Sequence, residues 1–93
     1  MKVYLAGPIT GILNYFDIFA KAAQQLRLDG HEVYNPAAAN LDGLPINQIM
    51  GHELNWLCFE AEAIALLPGW ENSRGTAIEI ALAEYLGKKI IKL

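Results

Sequence analysis

The sequence contains one cysteine, Cys58, which excludes an intrachain disulfide. With no ligand-spaced companions it reads most simply as a core thiol, and neither a metal site nor a cofactor is expected. Basic residues are also few: seven Lys and Arg stand against ten Asp and Glu, giving a net charge of −3. That balance leaves no basic face for a phosphate backbone, so a nucleic-acid polymer is not an expected partner. Apolar runs of membrane-spanning length are lacking, and the N-terminus passes at once into a strand-like segment rather than a leader. The expectation is a cytoplasmic protein with no membrane partner. Low-complexity segments are lacking as well. What is present is 93 residues, 54% hydrophobic, a size and composition that predict a single domain over residues 1–93. The high apolar share points to a homodimer or higher homo-oligomer.

The chain alternates strand and helix patterns. Lys2-Val3-Tyr4-Leu5-Ala6, stopped by Gly7-Pro8, predicts a buried first strand. From Asn14 as N-cap, Phe16, Phe19, Ala20, Ala23 and Leu26 recur at helical spacing until Gly30. His31 to Asn35, between that glycine and Pro36, suits a second strand, and the 37–45 stretch with Asn40, Asp42, Gly43 and Pro45 has turn chemistry. A second helix starts near Pro45 or Ile46, with Ile46, Met50 and Leu57 on one stripe, Ile49 beside it, and Glu53 interrupting it. Ala61 to Leu67, apolar on both faces except for Glu62, reads as a central strand. A third helix runs from about Ser73 to Tyr85 and stops at Gly87, before a fourth strand over Lys88 to Leu93.

This order predicts an α/β fold: a parallel four-stranded sheet with helices on both faces and strand order 2-1-3-4. The switch point then falls between strands one and three, where such sheets bind ligands. The loops Gly7-Pro8-Ile9-Thr10-Gly11 and Gly69-Trp70-Glu71-Asn72-Ser73 would open on one crevice.

Glu79 is followed at three, four and seven residues by Leu82, Ala83 and Leu86, so it lies on a stripe that should be packed. An ionised carboxylate there is costly unless paired or placed in a cleft. Glu53 breaks its own stripe in the same way. Two such carboxylates suit glycosidic-bond chemistry, one as nucleophile and one as general acid; they equally suit stripe-edge residues or salt-bridge partners. Tyr4, in a buried strand, needs a partner for its hydroxyl, which Glu79 could provide, although plain core packing would also explain it. Ser73 is a good helix N-cap, and the free amides of Ser73 to Gly75 beside it would suit a phosphate, with Arg74 or Lys88 adding charge. Gly7, Gly11, Gly69 and Gly75 permit close backbone approach to a ligand but are also ordinary turn residues. Trp70 and Trp56 could stack on a base or serve a core or interface. His31 and His52 read as surface or helix residues.

Taken together, Tyr4-Leu5-Ala6-Gly7-Pro8, the run Leu66 to Ser73 with Gly75 and Glu79, and Ala83 to Gly87 resemble the nucleoside 2-deoxyribosyltransferase-like family in its short bacterial and phage form. The resemblance runs nearly end to end. It implies a flavodoxin-like three-layer sandwich and cleavage of the N-glycosidic bond of a 2′-deoxynucleoside or its 5′-monophosphate, through a covalent intermediate. Glu79 falls on the family's nucleophile, Tyr4 on the tyrosine that positions it, and Glu53 on an Asp of helix two. Ser73 stands where the transferases carry Asp and where the related 2′-deoxynucleoside 5′-phosphate N-hydrolases carry Ser in contact with phosphate. A hydroxyl in place of a carboxylate removes repulsion of an anion at a helix N-terminus, so the implied substrate is a nucleotide and the implied reaction hydrolysis. The phosphate or sugar would be held by Gly7 to Gly11, Ser73 and Gly75, with Gly69, Trp70 and Asn72 from the same loop. Nucleoside deoxyribosyl transfer, a nucleotide-binding module without turnover, and an inert member acting through its oligomer surface are the alternatives.

Overall fold

The computed structural model describes residues 1–39, 41 and 43–93; the turn residues Asn40 and Asp42 lie outside the described residues. Strands β1 (Lys2–Ala6), β2 (Glu32–Tyr34), β3 (Ala63–Leu66) and β4 (Lys89–Lys92) alternate with helices α1 (Tyr15–Leu28), α2 (Ile46–Phe59) and α3 (Arg74–Tyr85). Short 3-10 turns cover Pro36–Ala38 and Trp70–Asn72. The sheet has the order β2-β1-β3-β4, with parallel pairing throughout. This is the α/β architecture expected from the strand–helix alternation.

Side-chain alternation along the strands explains the three layers. Val3 and Leu5 of β1, Val33 of β2 and Ala63 and Ala65 of β3 pack with Phe19, Ala23 and Leu26 of α1. Their neighbours Tyr4, Ala6, Ile64 and Leu66 point the other way, against Leu57 of α2 and Ala83 of α3. Both central strands are buried along nearly their whole length, as parallel strands covered on two faces must be. One helix thus covers one face and two cover the other, the sandwich of flavodoxin-like folds.

Element ends differ from expectation in small, explicable ways. Asn14 precedes α1 without a side-chain cap bond, and the buried stripe of that helix runs through Phe19, Ala23 and Leu26, with Tyr15 packed beside it. Phe16, 55% exposed, and Ala20, also exposed, lie at the edge of the buried stripe, which is centred on Phe19 and Leu26 with Tyr15 and Ala22 beside them. The loop expected over 37–45 opens with the 3-10 turn, in which the Asn35 side chain accepts a bond from the Ala37 amide. Among the described residues, no helix is long and apolar enough to cross a membrane.

Candidate active site

In the sheet, β1 and β3 lie side by side, with Ala6 opposite Leu66 at their C-terminal ends. There the chains of β1 and β3 leave toward helices on opposite faces, and a cavity of about 550 Å³ opens between the loops. Its lining includes Gly7 to Thr10 after β1, Asn72 to Thr76 at the start of α3, and Ile46, Ile49, Met50 and Glu53 of α2.

Three buried ionisable side chains meet in this cavity. Tyr4 faces the α2/α3 side through strand alternation and is fully buried; its hydroxyl donates a hydrogen bond to Glu79 Oε2. Glu79 is only 5% exposed and shares its helix stripe with Thr76 and Ala83. Glu53, 9% exposed, occupies the α2 stripe one turn before Leu57. The Tyr4 ring is fixed by its register partner on β2: Tyr34 stacks on it with centroids 5.3 Å apart, and Trp56 of α2 lies 5.2 Å from Tyr34. This aromatic row holds the phenol so that its hydroxyl stays aimed at the carboxylate.

Burial dominates the electrostatics. Loss of water pushes the Glu79 carboxyl up to about 7; the Tyr4 hydrogen bond pulls it down, and the negative charge of Glu53 adds to the rise. Burial also raises Glu53, offset in part by the nearby Tyr4 hydroxyl. That hydroxyl has one proton and gives it to Glu79. Tyr4 itself is pushed far above the usual phenol range by burial, then by the charges of Glu79 and Glu53, so it remains a donor. Burial thus holds both carboxyls protonated above the ordinary carboxylate range, Glu79 up to about 7.

A second group of atoms suits an anion. Ser73 caps α3, its hydroxyl oxygen accepting from the Thr76 amide at 3.2 Å, which leaves the hydroxyl proton to donate elsewhere. The first amides of α3 have no partner within the helix, and Arg74, an exposed cation, is among the residues of the same wall. A Cβ added at Gly75 would meet no protein atom, so the backbone here is open to a ligand. Gly7 is required for another reason: a Cβ there would come within 2.8 Å of Leu67 Cβ, where the loop crosses the end of β3.

Of the residues singled out from sequence, Tyr4, Glu53, Glu79, Gly7, Pro8, Ile9, Thr10, Asn72, Ser73 and Gly75 all line this one cavity. Gly11, Gly69 and Trp70 lie outside the lining. Gly69 has φ +89°, the left-handed conformation that starts the 3-10 turn, and Trp70 packs against the α2/α3 core with Lys92 Nζ 5.7 Å from its ring centroid. Lys88 is also elsewhere: it donates to the carbonyls of Cys58 and Ala61 at 3.0 and 2.7 Å, closing the C-terminal end of α2. Sequence reasoning missed the cavity's apolar side, formed in part by Tyr15, Pro36, Ala37 and Leu41. The available signal was the α2 stripe, whose first member Ile46 is 72% exposed at the cavity mouth. Residues 1–92 match the profile of a family described as a domain of unknown function, DUF4406. No curated protein and no solved structure matches the chain.

Proposed function

This chain belongs to the DUF4406 family, and we propose that it hydrolyses the N-glycosidic bond of a 2′-deoxynucleoside 5′-monophosphate, as its resemblance to the nucleoside 2-deoxyribosyltransferase-like family implies. The observation that carries the reading is the bond from the buried Tyr4 hydroxyl to Glu79, inside a cavity that also holds Glu53. Tyr4 occupies Oε2, which leaves Oε1 of Glu79 to attack C1′. As the bond from C1′ to Oε1 forms, the C1′–N bond breaks, its electron pair goes to the base, and the Glu53 carboxyl delivers a proton to the leaving nitrogen. Glu53 then takes a proton from water, whose oxygen attacks C1′. The bond to Glu79 breaks, deoxyribose 5-phosphate leaves, and both carboxyls return to their starting states.

Ser73 with the first amides of α3 and Arg74 supports the choice of a monophosphate over a nucleoside, since an anion there meets positive dipole and charge. Leu13, Phe16, Leu28, Phe59 and Tyr85, all more than half exposed, support a homo-oligomer, which sedimentation would detect. The competent enzyme needs one proton on the carboxyl pair. Its kcat/KM is accordingly expected to be bell-shaped in pH, with the alkaline limb near the Glu79 value of about 7. The direct test incubates the protein with each 2′-deoxynucleoside 5′-monophosphate and separates free base by chromatography, with Glu79→Gln as control. Base from the wild type alone supports the enzyme; nucleotide bound tightly with no base released replaces it with a binding module.

A further inference from the structure

Helix α2 carries Glu53 yet has few apolar anchors of its own. Among its described residues it fully buries Glu53 and Leu57 alone, whereas α1 buries Phe19, Ala23 and Leu26. A carboxyl that has lost its water is a poor anchor, so the helix needs a further hold. Trp56 supplies one, three positions after Glu53 and so beside it on the helix surface. Its ring packs against Tyr34 of β2 with centroids 5.2 Å apart and 32° between the planes, and Tyr34 stacks in turn on Tyr4 at 5.3 Å and 11°. Tyr34 and Trp56 are both half-buried, and both lie outside the cavity lining.

We propose that Tyr34 and Trp56 are positioning residues for proton transfer: their ring contact sets where α2 stands against the sheet, and so where Glu53 meets the leaving base. The inference rests on the hydrolase reading, in which Glu53 protonates that base. Tyr4 depends less on the row, since it lies on a central strand paired on both sides and its hydroxyl is held by Glu79. Helix α2 has no such ladder, because its backbone bonds are spent within the helix. The Tyr34 phenol also lies within the field of the carboxyls: burial raises it, and the charges of Glu53 and then Glu79 add to the rise. What Tyr34 gives to α2 is a ring surface, so its hydroxyl is dispensable and its ring is not.

The chemical consequence is specific. A reacting group misplaced by about 1 Å loses about a hundredfold in rate, and a misplaced proton donor does so only where the leaving group needs the proton. Uracil leaves poorly as an anion. In 5-nitrouracil the nitro group spreads the negative charge, and the base leaves without protonation. Loss of the ring contact should therefore separate two substrates that share the same sugar and phosphate.

Tyr34→Leu, Trp56→Leu and Tyr34→Phe are compared on dUMP and 5-nitro-dUMP, and the Glu53 carboxyl is titrated in each by carboxyl-carbon NMR, with Glu53→Gln to assign its signal. Each leucine variant should lose about a hundredfold in kcat/KM on dUMP but less than about tenfold on 5-nitro-dUMP, with Tyr34→Phe within about threefold of wild type on both. The Glu53 midpoint, raised in the wild type by burial, should fall toward the ordinary carboxylate range in the leucine variants and stay raised in Tyr34→Phe. The two leucine variants stand at separate half-buried positions, and either one, folded, suffices for the comparison. Equal losses on the two substrates, a phenylalanine variant as impaired as the leucine ones, or an unmoved Glu53 midpoint overturns the inference even if the wild type releases base. No base from the wild type, with the midpoint moved in the leucine variants alone, overturns the hydrolase reading and leaves the positioning of Glu53 standing. No base and an unmoved midpoint overturn both.

Discussion

The two faces of the sheet are built from one alternation, yet the residues they bury differ in kind. On the α1 face, Val3, Leu5, Ala63 and Ala65 meet Phe19, Ala23 and Leu26, an apolar cluster. On the α2/α3 face, the same strands turn toward Tyr4, Thr76, Glu53 and Glu79, which are buried polar or ionisable groups. A domain of this size has few places to spare for carboxyls that lose their water. Among the described residues they are buried on one face only, beside the point where the strand order reverses, which sets an apolar part of the core apart from a part that buries ionisable groups.

The comparison is tested most severely by Glu79→Gln. Base release is expected to fall on the order of 10⁴-fold or more, as when a nucleophile is removed from a unit that works together, while the fold persists. On the opposite face, Phe19→Ala removes a fully buried ring from the α1 cluster and should lower unfolding free energy by about 3–5 kcal/mol in urea titration. Base release per folded molecule should be unchanged. If Phe19→Ala altered the chemistry of the folded fraction, the faces would not be separable.

The pH dependence of stability follows from the same contrast. Glu79 has a folded value of about 7 against an ordinary 4.5, so the folded state binds more protons between those values. Stability from this group is therefore complete below the ordinary value and is lost as pH rises through about 7, amounting to about 3 kcal/mol. Glu53, raised in the same direction, adds to the loss. Thermal melts should show the wild type weakening between pH 5 and pH 8, and Glu79→Gln should remove most of that slope. A slope unchanged in the variant would mean that Glu79 is not the buried group responsible.

The smallest expected effect concerns Ser73. Ser73→Ala removes the cap bond to the Thr76 amide and should cost about 1 kcal/mol of stability. It should also raise KM for a monophosphate more than for the matching nucleoside, and Ser73→Asp should reverse the preference between them through repulsion of the phosphate. Equal changes for both substrates would leave Ser73 as a cap alone.

Much of the fold was legible because its signals are local. Gly7-Pro8, Gly30 and Gly87 stop elements, and the run Ala61 to Leu67 has the doubly apolar pattern of a central strand. The polar centre was legible for a related reason: Glu53 and Glu79 interrupt apolar stripes, and a carboxylate on such a stripe needs an explanation. Phe16 and Ala20 were misplaced because both share helical spacing with Phe19 and Ala23, and spacing alone does not tell the edge of a stripe from its centre. Lys88 and Trp70 could not be placed from sequence, since their directions depend on where the C-terminal end of α2 and the edge strand β4 come to lie. The apolar side of the cavity was hidden because Ile49 and Met50 look like ordinary core residues until the end of their stripe is found open.

The central claim is that Glu79 becomes covalently attached to the sugar. Protein mixed with a 2′-deoxynucleoside 5′-monophosphate and quenched in acid during turnover can be digested and weighed by mass spectrometry. The account predicts a deoxyribose 5-phosphate adduct on the peptide containing Glu79, absent from Glu79→Gln. Base release at wild-type rate by Glu79→Gln, with no adduct in either protein, would contradict it.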